Sequence, residues 1–290
     1  MNVLKVGVLL TALTALFMGL GYTLGGSVGI VIAFGLALVM NVGSYWYSDK
    51  IVLGMYGAQP LSPQSAPELY RMTENIAQRA NIPMPKLYVI ADPQPNAFAT
   101  GRNPQNSAVA VNQGLLDMLN RDEVEGVIAH EIAHIKHRDT LTMTVVATLA
   151  GAVMMLAQFG QIAAMFGGGS NDEDGEGTNP FVFLLMIIVA PIAATMVQMA
   201  VSRAREFEAD ATAAHLTGRP DGLINALAKL ERGVHAIPSH ANPQTAHMFI
   251  ANPLAGMGGS LMNLFTTHPP MDKRIAALNA LRGRISASPL

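Results

Sequence analysis

The sequence predicts an α-helical membrane protein with a polar domain that mixes helices and strands. Half of its 290 residues are hydrophobic and 13% are charged, about half the charged share that is usual for a soluble protein. Its uncharged runs are long enough for four membrane-spanning helices. The long polar segments 49–139 and 202–290 contain the periodic patterns of surface helices and short strands. Buried helices of a soluble core rarely reach this length four times in one chain.

Residues 1–48 predict two membrane helices. No charged residue occurs between Val6 and Ser48, a run too long for one span and sufficient for two joined at Gly25-Gly26-Ser27. The second helix ends in Tyr45-Trp46-Tyr47, and such aromatic clusters are typical of the bilayer interface. A cleaved signal peptide is not predicted, because no clear small-x-small cleavage site occurs and a second span follows directly.

Segment 49–139 predicts a small α+β unit. A helix is predicted over Pro67–Ala80, because its apolar residues recur at helical spacing. Lys86–Ile90 is rich in apolar and aromatic residues and predicts a strand. Two further short segments predict a β-hairpin around Gly101–Pro104: 96–101 and 107–112.

The next predicted helix carries the sequence His130-Glu131-Ile132-Ala133-His134. Asn120 is a good cap for this helix, and Glu123 three residues later completes a capping box. Residues four apart share one face of a helix, so both imidazoles can bind one metal ion. Glu131 lies beside the first ligand, where its carboxylate can reach a metal-bound water. This arrangement is the metalloprotease signature, and a solvated helix face that pairs His with Glu is the alternative interpretation.

A zinc site of this kind needs a third protein ligand and one open position for water. The chain has no cysteine, so the ligand must be a histidine or a carboxylate. The helix predicted from Ser202 offers Glu206, Glu208 and Asp210. Glu206 and Asp210 share a face, so Glu206 is the predicted ligand, and Asp210 is predicted to accept a hydrogen bond from a ligating histidine. Glu208 projects to the other side, and an ordinary acidic helix start is the alternative interpretation.

The motif helix runs into the charged stretch Lys136–Asp139 and then into a third predicted span, 140–166. Charged groups are costly in hydrocarbon, so the metal site is predicted at the membrane surface rather than inside the bilayer. The loop 167–180 contains four acidic residues and no basic one, and a fourth span, 181–201, follows it. All lysines and arginines lie elsewhere, which predicts that both termini and both polar segments face the cytoplasm.

Four motifs occur in order along the chain: Asn96-Ala-Phe-Ala-Thr-Gly101, His130-Glu-Ile-Ala-His134 with His137-Arg-Asp139, Ser202-Arg-x-Arg-Glu206-x-x-Ala-Asp210, and Thr267-His-Pro-Pro270 with Arg274-Ile275. With these four motifs the chain resembles the HtpX-type membrane zinc endopeptidases of bacteria, which are relatives of the eukaryotic CAAX prenyl proteases. The resemblance implies a zincin-like α+β domain on the cytoplasmic side, with a gluzincin-type site. It also implies one Zn²⁺ per chain on His130, His134 and Glu206, with Glu131 as the catalytic carboxylate.

The resemblance further implies a role for Asn96, Ala97 and Phe98. These residues look like the edge strand that pairs with an extended substrate backbone in related enzymes. Strand addition supplies main-chain hydrogen bonds without demanding particular side chains, which agrees with broad specificity. An ordinary hairpin strand is the alternative interpretation.

Two further residues, His268 and Arg203, each have two open interpretations. His268 either donates to the oxyanion that forms during the reaction or caps the helix introduced by Pro269 and Pro270. Arg203 either contacts Asp210 or a substrate carbonyl, or is a plain surface charge. The remaining histidines without a ligand partner at useful spacing are expected to be structural or solvated: His215, His235, His240 and His247.

These features predict an integral membrane zinc endopeptidase of the bacterial inner membrane. The resemblance implies that it hydrolyses misfolded or damaged membrane proteins on the cytoplasmic side, in quality control linked to stress. A zinc-dependent holdase is one alternative, since it needs the zinc ligands but has no use for Glu131. A prenyl-protein protease is the other, although four spans are few to enclose a membrane chamber. The net charge of −2 gives no reason to expect nucleic acid.

Overall fold

The computed structural model describes residues 2–145, 203–236, 248–251 and 269–285. In chain order its elements are α1 (Asn2–Met55), β1 (Gln59–Pro60), α2 (Pro67–Ala80), β2 (Lys86–Ile90), β3 (Ala97–Asn103), β4 (Asn106–Asn112), α3 (Gln113–Met118), α4 (Arg121–Lys136), α5 (Arg203–Thr217), α6 (Asp221–Ala236) and α7 (Met271–Ile285). The predicted helix, strand, hairpin and motif helix of the first polar segment are all confirmed. The predicted acidic loop, the fourth span and most of the third span lie outside the described residues.

Helix α1 reverses direction at Gly26. In a straight helix Leu10 and Asn41 would lie about 46 Å apart, at a rise of about 1.5 Å per residue. Instead, the Asn41 amide donates to the Leu10 carbonyl at 3.4 Å and to the Thr14 hydroxyl at 2.9 Å. Gly26 has a φ of +58°, which glycine adopts without steric cost. The predicted turn between two antiparallel helices is therefore present, and the second helix continues to Met55, beyond the predicted end at residue 48.

The second arm of α1 is apolar on nearly all sides. Within the described part of the chain, Gly26–Tyr47 is the one segment that is long and apolar enough to cross a membrane. Its exposed large side chains include Val31, Ile32 and Val39. A helix with such a surface is stable where lipid or protein covers it. The length and composition of this segment support the predicted span.

The four strands form one sheet in the order β1-β2-β4-β3. β2 and β4 are parallel, whereas β1 pairs with β2, and β3 with β4, in antiparallel fashion. β3 is therefore an edge strand, and one side of its backbone faces away from the sheet. The hairpin between β3 and β4 is tight, since Asn103 is paired with Asn106.

The sheet separates two apolar clusters because side chains alternate along each strand. Val109 and Val111 of β4 face the larger cluster, which contains α2, α4 and α6 residues. Ala108 and Ala110 face a smaller cluster with Phe98. The end of α1 contributes Val52 and Leu53 to that smaller cluster, so the α1 hairpin is joined directly to the back of the sheet.

Close backbone contact fixes helix α4 against α6. A Cβ at Gly126 would lie 2.5 Å from the Leu223 nitrogen, so only glycine fits at this crossing. At the start of α4, the Asn120 side chain accepts from the Glu123 amide while the Glu123 carboxylate accepts from the Asn120 amide, the predicted capping box. The same carboxylate pairs with Lys229 of α6 at 2.7 Å. These contacts fix the position of the motif helix against α6.

Candidate metal centre

His130 and His134 face each other from successive turns of α4. Their Nε2 atoms lie 3.2 Å apart, and both side chains are almost completely buried. The helix places them there because residues four apart project from the same face. Val127, one turn before His130, and Ile135, next to His134, are fully buried in the core. The two imidazoles therefore line one enclosed point between helices.

Helix α5 brings Glu206 to the same point. Its carboxylate oxygens lie 3.7 Å from Nε2 of His130 and 3.5 Å from Nε2 of His134. The three residues form a buried group that could hold a metal ion, with one ligand atom from each within 4.8 Å of the others. Tetrahedral zinc with bonds of about 2.0–2.1 Å separates its ligand atoms by about 3.3 Å. The donor types and spacing therefore fit zinc without a large rearrangement.

Asp210, one turn after Glu206, holds the outer nitrogen of His130. Its Oδ1 lies 2.9 Å from Nδ1 of His130, the contact expected from the sequence. Arg274 of α7 donates to the same carboxylate through Nε at 2.8 Å and Nη2 at 2.7 Å. The carboxylate thus directs Nδ1 outward and leaves Nε2 turned toward Glu206.

Charge pairing offsets the cost of burying Asp210 and Arg274. Burial alone would raise the pKa of Asp210, but the Arg274 guanidinium lowers that pKa to about 2. Burial likewise opposes the charged form of Arg274, and Asp210 followed by Glu206 raises its pKa above the ordinary value. For His130, burial is the largest effect and Arg274 adds to it, which lowers its pKa to about 4. His130 is therefore a neutral imidazole at pH 7, the form that binds metal.

Asp139 holds the outer nitrogen of His134 in the same way. Its Oδ2 lies 3.3 Å from Nδ1 of His134, and Arg205 of α5 lies 3.3 Å from its Oδ1. Burial alone would lower the pKa of His134, but Glu206 and then Asp139 raise it to about 9. In the metal-free protein His134 therefore carries a proton at pH 7, and a metal cation that binds there would replace this proton.

Glu131 is buried next to the metal-ligating group. Burial is the largest cause that raises the pKa of its carboxyl to about 7, while the charge of His134 works against this shift. The main-chain N–H of Ala99 in β3 is near the Glu131 carboxylate and lowers its pKa, against the effect of burial. This contact places the carboxylate between the metal group and the edge strand. A carboxyl with a pKa near neutrality can both take up and release a proton at physiological pH.

The other residues predicted from the sequence lie in three kinds of place. Glu208 is exposed, as expected. Asn96, Ala97 and Phe98 are fully buried at the start of β3. The Arg203 side chain and His268 lie outside what the structure describes, and their roles stay predictions.

Sequence reasoning assigned no role to Asp139 or Arg274. Both are charged residues that belong to the sequence motifs, and both are buried, which is unusual for a charged side chain without a partner. Asp139 lies five residues after His134, just past the end of α4, where a turn brings it back to the imidazole. The contact of Arg274 with Asp210 depends on the packing of α7 against α5, and the spacing of residues in the sequence does not predict that packing.

The family model for peptidase family M48 matches residues 63–282 of the chain. The protease HtpX homolog of Syntrophobacter fumaroxidans is 53% identical over 277 residues, covering 94% of this chain and 97% of that protein. The protease HtpX homolog of Desulforapulum autotrophicum is 51% identical, covering 96% of this chain and 89% of that protein. The matched region contains α4 and α5, which carry the His130, His134 and Glu206 group, and the whole sheet after β1.

The fold is also similar to that of a solved protein. The crystal structure of S. mikatae Ste24p aligns with a TM-score of 0.50 and 19% identity, covering 95% of this chain and 67% of that chain. At this identity the likeness concerns the fold alone. Together with the family match and the buried His, His and Glu group, it leads to one conclusion. The chain belongs to peptidase family M48, with HtpX-type proteases as its relatives, and is a metalloprotease.

Proposed function

We propose that this metalloprotease is a zinc endopeptidase that cuts misfolded or damaged membrane proteins at the cytoplasmic face of a bacterial inner membrane. The observation that carries the proposal is the buried group of His130, His134 and Glu206 with the Glu131 carboxylate beside it. A metal-ligating group alone suits many proteins. The added buried carboxyl, with its raised pKa, suits hydrolysis.

The proposed cofactor is one zinc ion per chain, held by Nε2 of His130, Nε2 of His134 and a Glu206 oxygen. Two imidazoles and one carboxylate form the ligand set of zinc hydrolases that leave one position open. When bound, zinc supplies a Lewis acid that polarises the scissile carbonyl and acidifies a water molecule. Asp210 and Asp139 contribute by fixing the two imidazole rings from outside.

Glu131 is the proposed general base and acid. Its carboxylate takes a proton from the attacking water and then delivers that proton to the leaving amine. Its pKa, raised to about 7 by burial, suits both transfers better than the pKa of an exposed glutamate. The Ala99 N–H, which lowers the pKa of this carboxyl, belongs to the strand that would hold the substrate.

Strand β3 is the proposed binding edge for the substrate backbone. It lies at the edge of the sheet, with Asn96, Ala97 and Phe98 at its start. An extended peptide that pairs with this edge would bind through main-chain hydrogen bonds, so many sequences would be accepted. Broad acceptance suits an enzyme whose substrates share only the property of being unfolded.

The membrane setting is supported by α1 and by the charge distribution. Gly26–Tyr47 is long and apolar enough to span a bilayer, and the loop 167–180 has no basic residue. Because the chain has no cysteine, Ser170→Cys and Ser286→Cys each create a unique thiol. In intact bacterial cells, a membrane-impermeant maleimide should label the first variant from outside and reach the second only after lysis. The opposite pattern would refute the proposed orientation.

Proteolysis is tested with protein purified in detergent, stripped with a chelator, and then given zinc and casein. The wild type should cleave casein only after zinc is added. Glu131→Gln should abolish cleavage, whereas Glu125→Gln, a glutamate of the same helix outside the site, should not. If Glu131→Gln cleaves like the wild type, the proposed mechanism is wrong. If neither protein cleaves but both hold unfolded casein, the holdase alternative is favoured.

A further inference from the structure

The segment Met248–Ala251 packs against the start of β3. All four of its residues are buried, with Ile250 and Ala251 each 1% exposed. Met248 is in 3₁₀ conformation and residues 249–251 form bends, so the segment is not a strand of the sheet. The segment therefore covers the edge that the proposed function gives to the substrate.

The segment is held through its backbone. The Ile250 N–H donates to the Ala97 carbonyl at 3.1 Å, and Arg274 donates to the Ile250 carbonyl at 3.0 Å. The Ala251 N–H donates to the Asn96 side-chain oxygen at 3.3 Å, and the Asn96 amide donates to the Ala251 carbonyl at 2.9 Å. Both peptide groups are satisfied without any hydrogen bond from a side chain of the segment. This is how a site for arbitrary peptide sequences holds its ligand.

The held backbone lies next to the metal group. Arg274, which donates to the Ile250 carbonyl, also lies 3.3 Å from Nε2 of His130 and 3.7 Å from a Glu206 oxygen. Two residues beyond Ala97 along β3, the main-chain N–H of Ala99 is close enough to the Glu131 carboxylate to lower its pKa, against the effect of burial. Residues two apart on a strand direct their main-chain groups to the same side. Ile250 and Glu131 therefore both lie at the same outer edge of β3.

Side chains of the segment add apolar contact. The Phe249 ring meets Phe98 edge-on at 5.2 Å and Tyr56 at 5.3 Å, measured between ring centroids. Met248 joins the same cluster behind the sheet, whereas Ile250 enters the cluster on the other side. Met248 and Phe249 thus face one apolar cluster and Ile250 and Ala251 the other, so the segment is anchored on both sides of the sheet edge.

We infer that Met248–Ala251 is an internal occupant of the substrate edge, which must leave before a substrate backbone can pair with β3. This inference rests on the proposed function, since it assigns the regulation of the same site. The occupant is part of the chain, so it competes with substrate at every protein concentration. Apparent substrate affinity is then reduced by the fraction of molecules in which the edge is free.

The first test weakens the hold on the segment without touching the catalytic group. Phe249→Ala removes two aromatic contacts, with Phe98 and Tyr56. Together, two such contacts are strong enough to shift the equilibrium between the covered and the free edge about tenfold. With zinc-loaded protein, KM for casein should fall about tenfold, and kcat should change little. Ile76→Ala, which removes an equally buried side chain from α2, is the matched control and should not lower KM. A Phe249→Ala protein that folds but shows an unchanged or higher KM would overturn the inference.

The second test does not depend on turnover. Ala251→Cys introduces the only thiol of the chain, here combined with Glu131→Gln so that bound casein stays intact. Saturating casein should raise the rate of maleimide labelling at this thiol about tenfold. Labelling that casein leaves unchanged, while wild-type protein cleaves casein with zinc, would show that the segment is a permanent part of the fold. If the wild type fails to cleave casein at all, the proposed function fails first.

Discussion

Asp210 and Arg274 form a buried ion pair with two hydrogen bonds of 2.7 and 2.8 Å, and the same carboxylate lies 2.9 Å from Nδ1 of His130. The guanidinium thus fixes the carboxylate, and the carboxylate fixes the imidazole. Two helices, α5 and α7, are tied to α4 through this chain of contacts. The geometry of the metal centre therefore depends on residues that do not bind the metal.

Asp210→Asn should weaken zinc binding. The amide can no longer hold Nδ1 of His130 as a charged acceptor, and loss of such an outer partner costs about 10–100-fold in metal affinity. Competition with a chromophoric chelator measures this. Glu208→Gln, an exposed position of the same helix, should leave the affinity unchanged. Equal zinc affinity in all three proteins would mean that Asp210 has no role in orienting the ligand.

Arg274→Met should destabilise the metal-free protein by about 3–5 kcal/mol, because it leaves the Asp210 carboxylate buried without its cation. Unfolding by denaturant in detergent, followed by circular dichroism, measures the change. Lys273→Met at the adjacent exposed position is the control and should change stability by less than about 0.5 kcal/mol. An Arg274→Met protein as stable as this control would contradict the account of the ion pair.

Zinc affinity should depend on pH through His134. The pKa of this imidazole is raised to about 9 in the metal-free protein, chiefly by Glu206 and Asp139 against the effect of burial. Zinc must displace that proton, so affinity should fall about tenfold per pH unit below pH 9 and level off above it. Asp139→Asn removes one of the charges that raise the pKa and should move the break to lower pH. Affinity that does not change over about two pH units below neutrality and slightly above it would refute the linkage.

Glu131→Gln should stabilise the metal-free protein at neutral and alkaline pH. Burial raises the pKa of this carboxyl from 4.5 to about 7, so the folded state binds the proton more tightly than the unfolded state. Its contribution to stability is therefore lost as pH rises from 4.5 to 7, by about 3 kcal/mol in all. The variant and wild type should be nearly equal below pH 4.5 and differ most above pH 7. A stability difference that does not vary with pH would contradict this.

The elements that follow from local pattern were predictable from the sequence. The helix at Pro67–Ala80, the strand at Lys86–Ile90 and the capping box at Asn120 depend on neighbours in the chain, and the structure has each of them. The meeting of His130 and His134 follows from helix geometry alone. Glu206 was also predictable, because a zinc site without cysteine needs a further histidine or carboxylate on a facing helix.

What the sequence could not give depends on packing between distant segments. Arg274 reaches Asp210 only because α7 lies against α5, and no periodicity in the sequence announces this contact. The hydrogen bond between the Ile250 N–H and the Ala97 carbonyl likewise joins main-chain atoms of distant segments. Side-chain patterns in the sequence do not predict such a bond. The position of Met248–Ala251 at the edge of β3 therefore could not be predicted from the sequence.

The most direct test of the metal centre is the zinc content of wild type, Glu206→Gln and Glu208→Gln, each stripped and then reloaded with zinc in detergent. The account predicts one tightly bound zinc per chain in wild type and in Glu208→Gln. It predicts that Glu206→Gln loses affinity by about 100-fold or more, because a neutral amide replaces a charged ligand in a buried site. Zinc bound as tightly by Glu206→Gln as by wild type would show that the ion is held elsewhere.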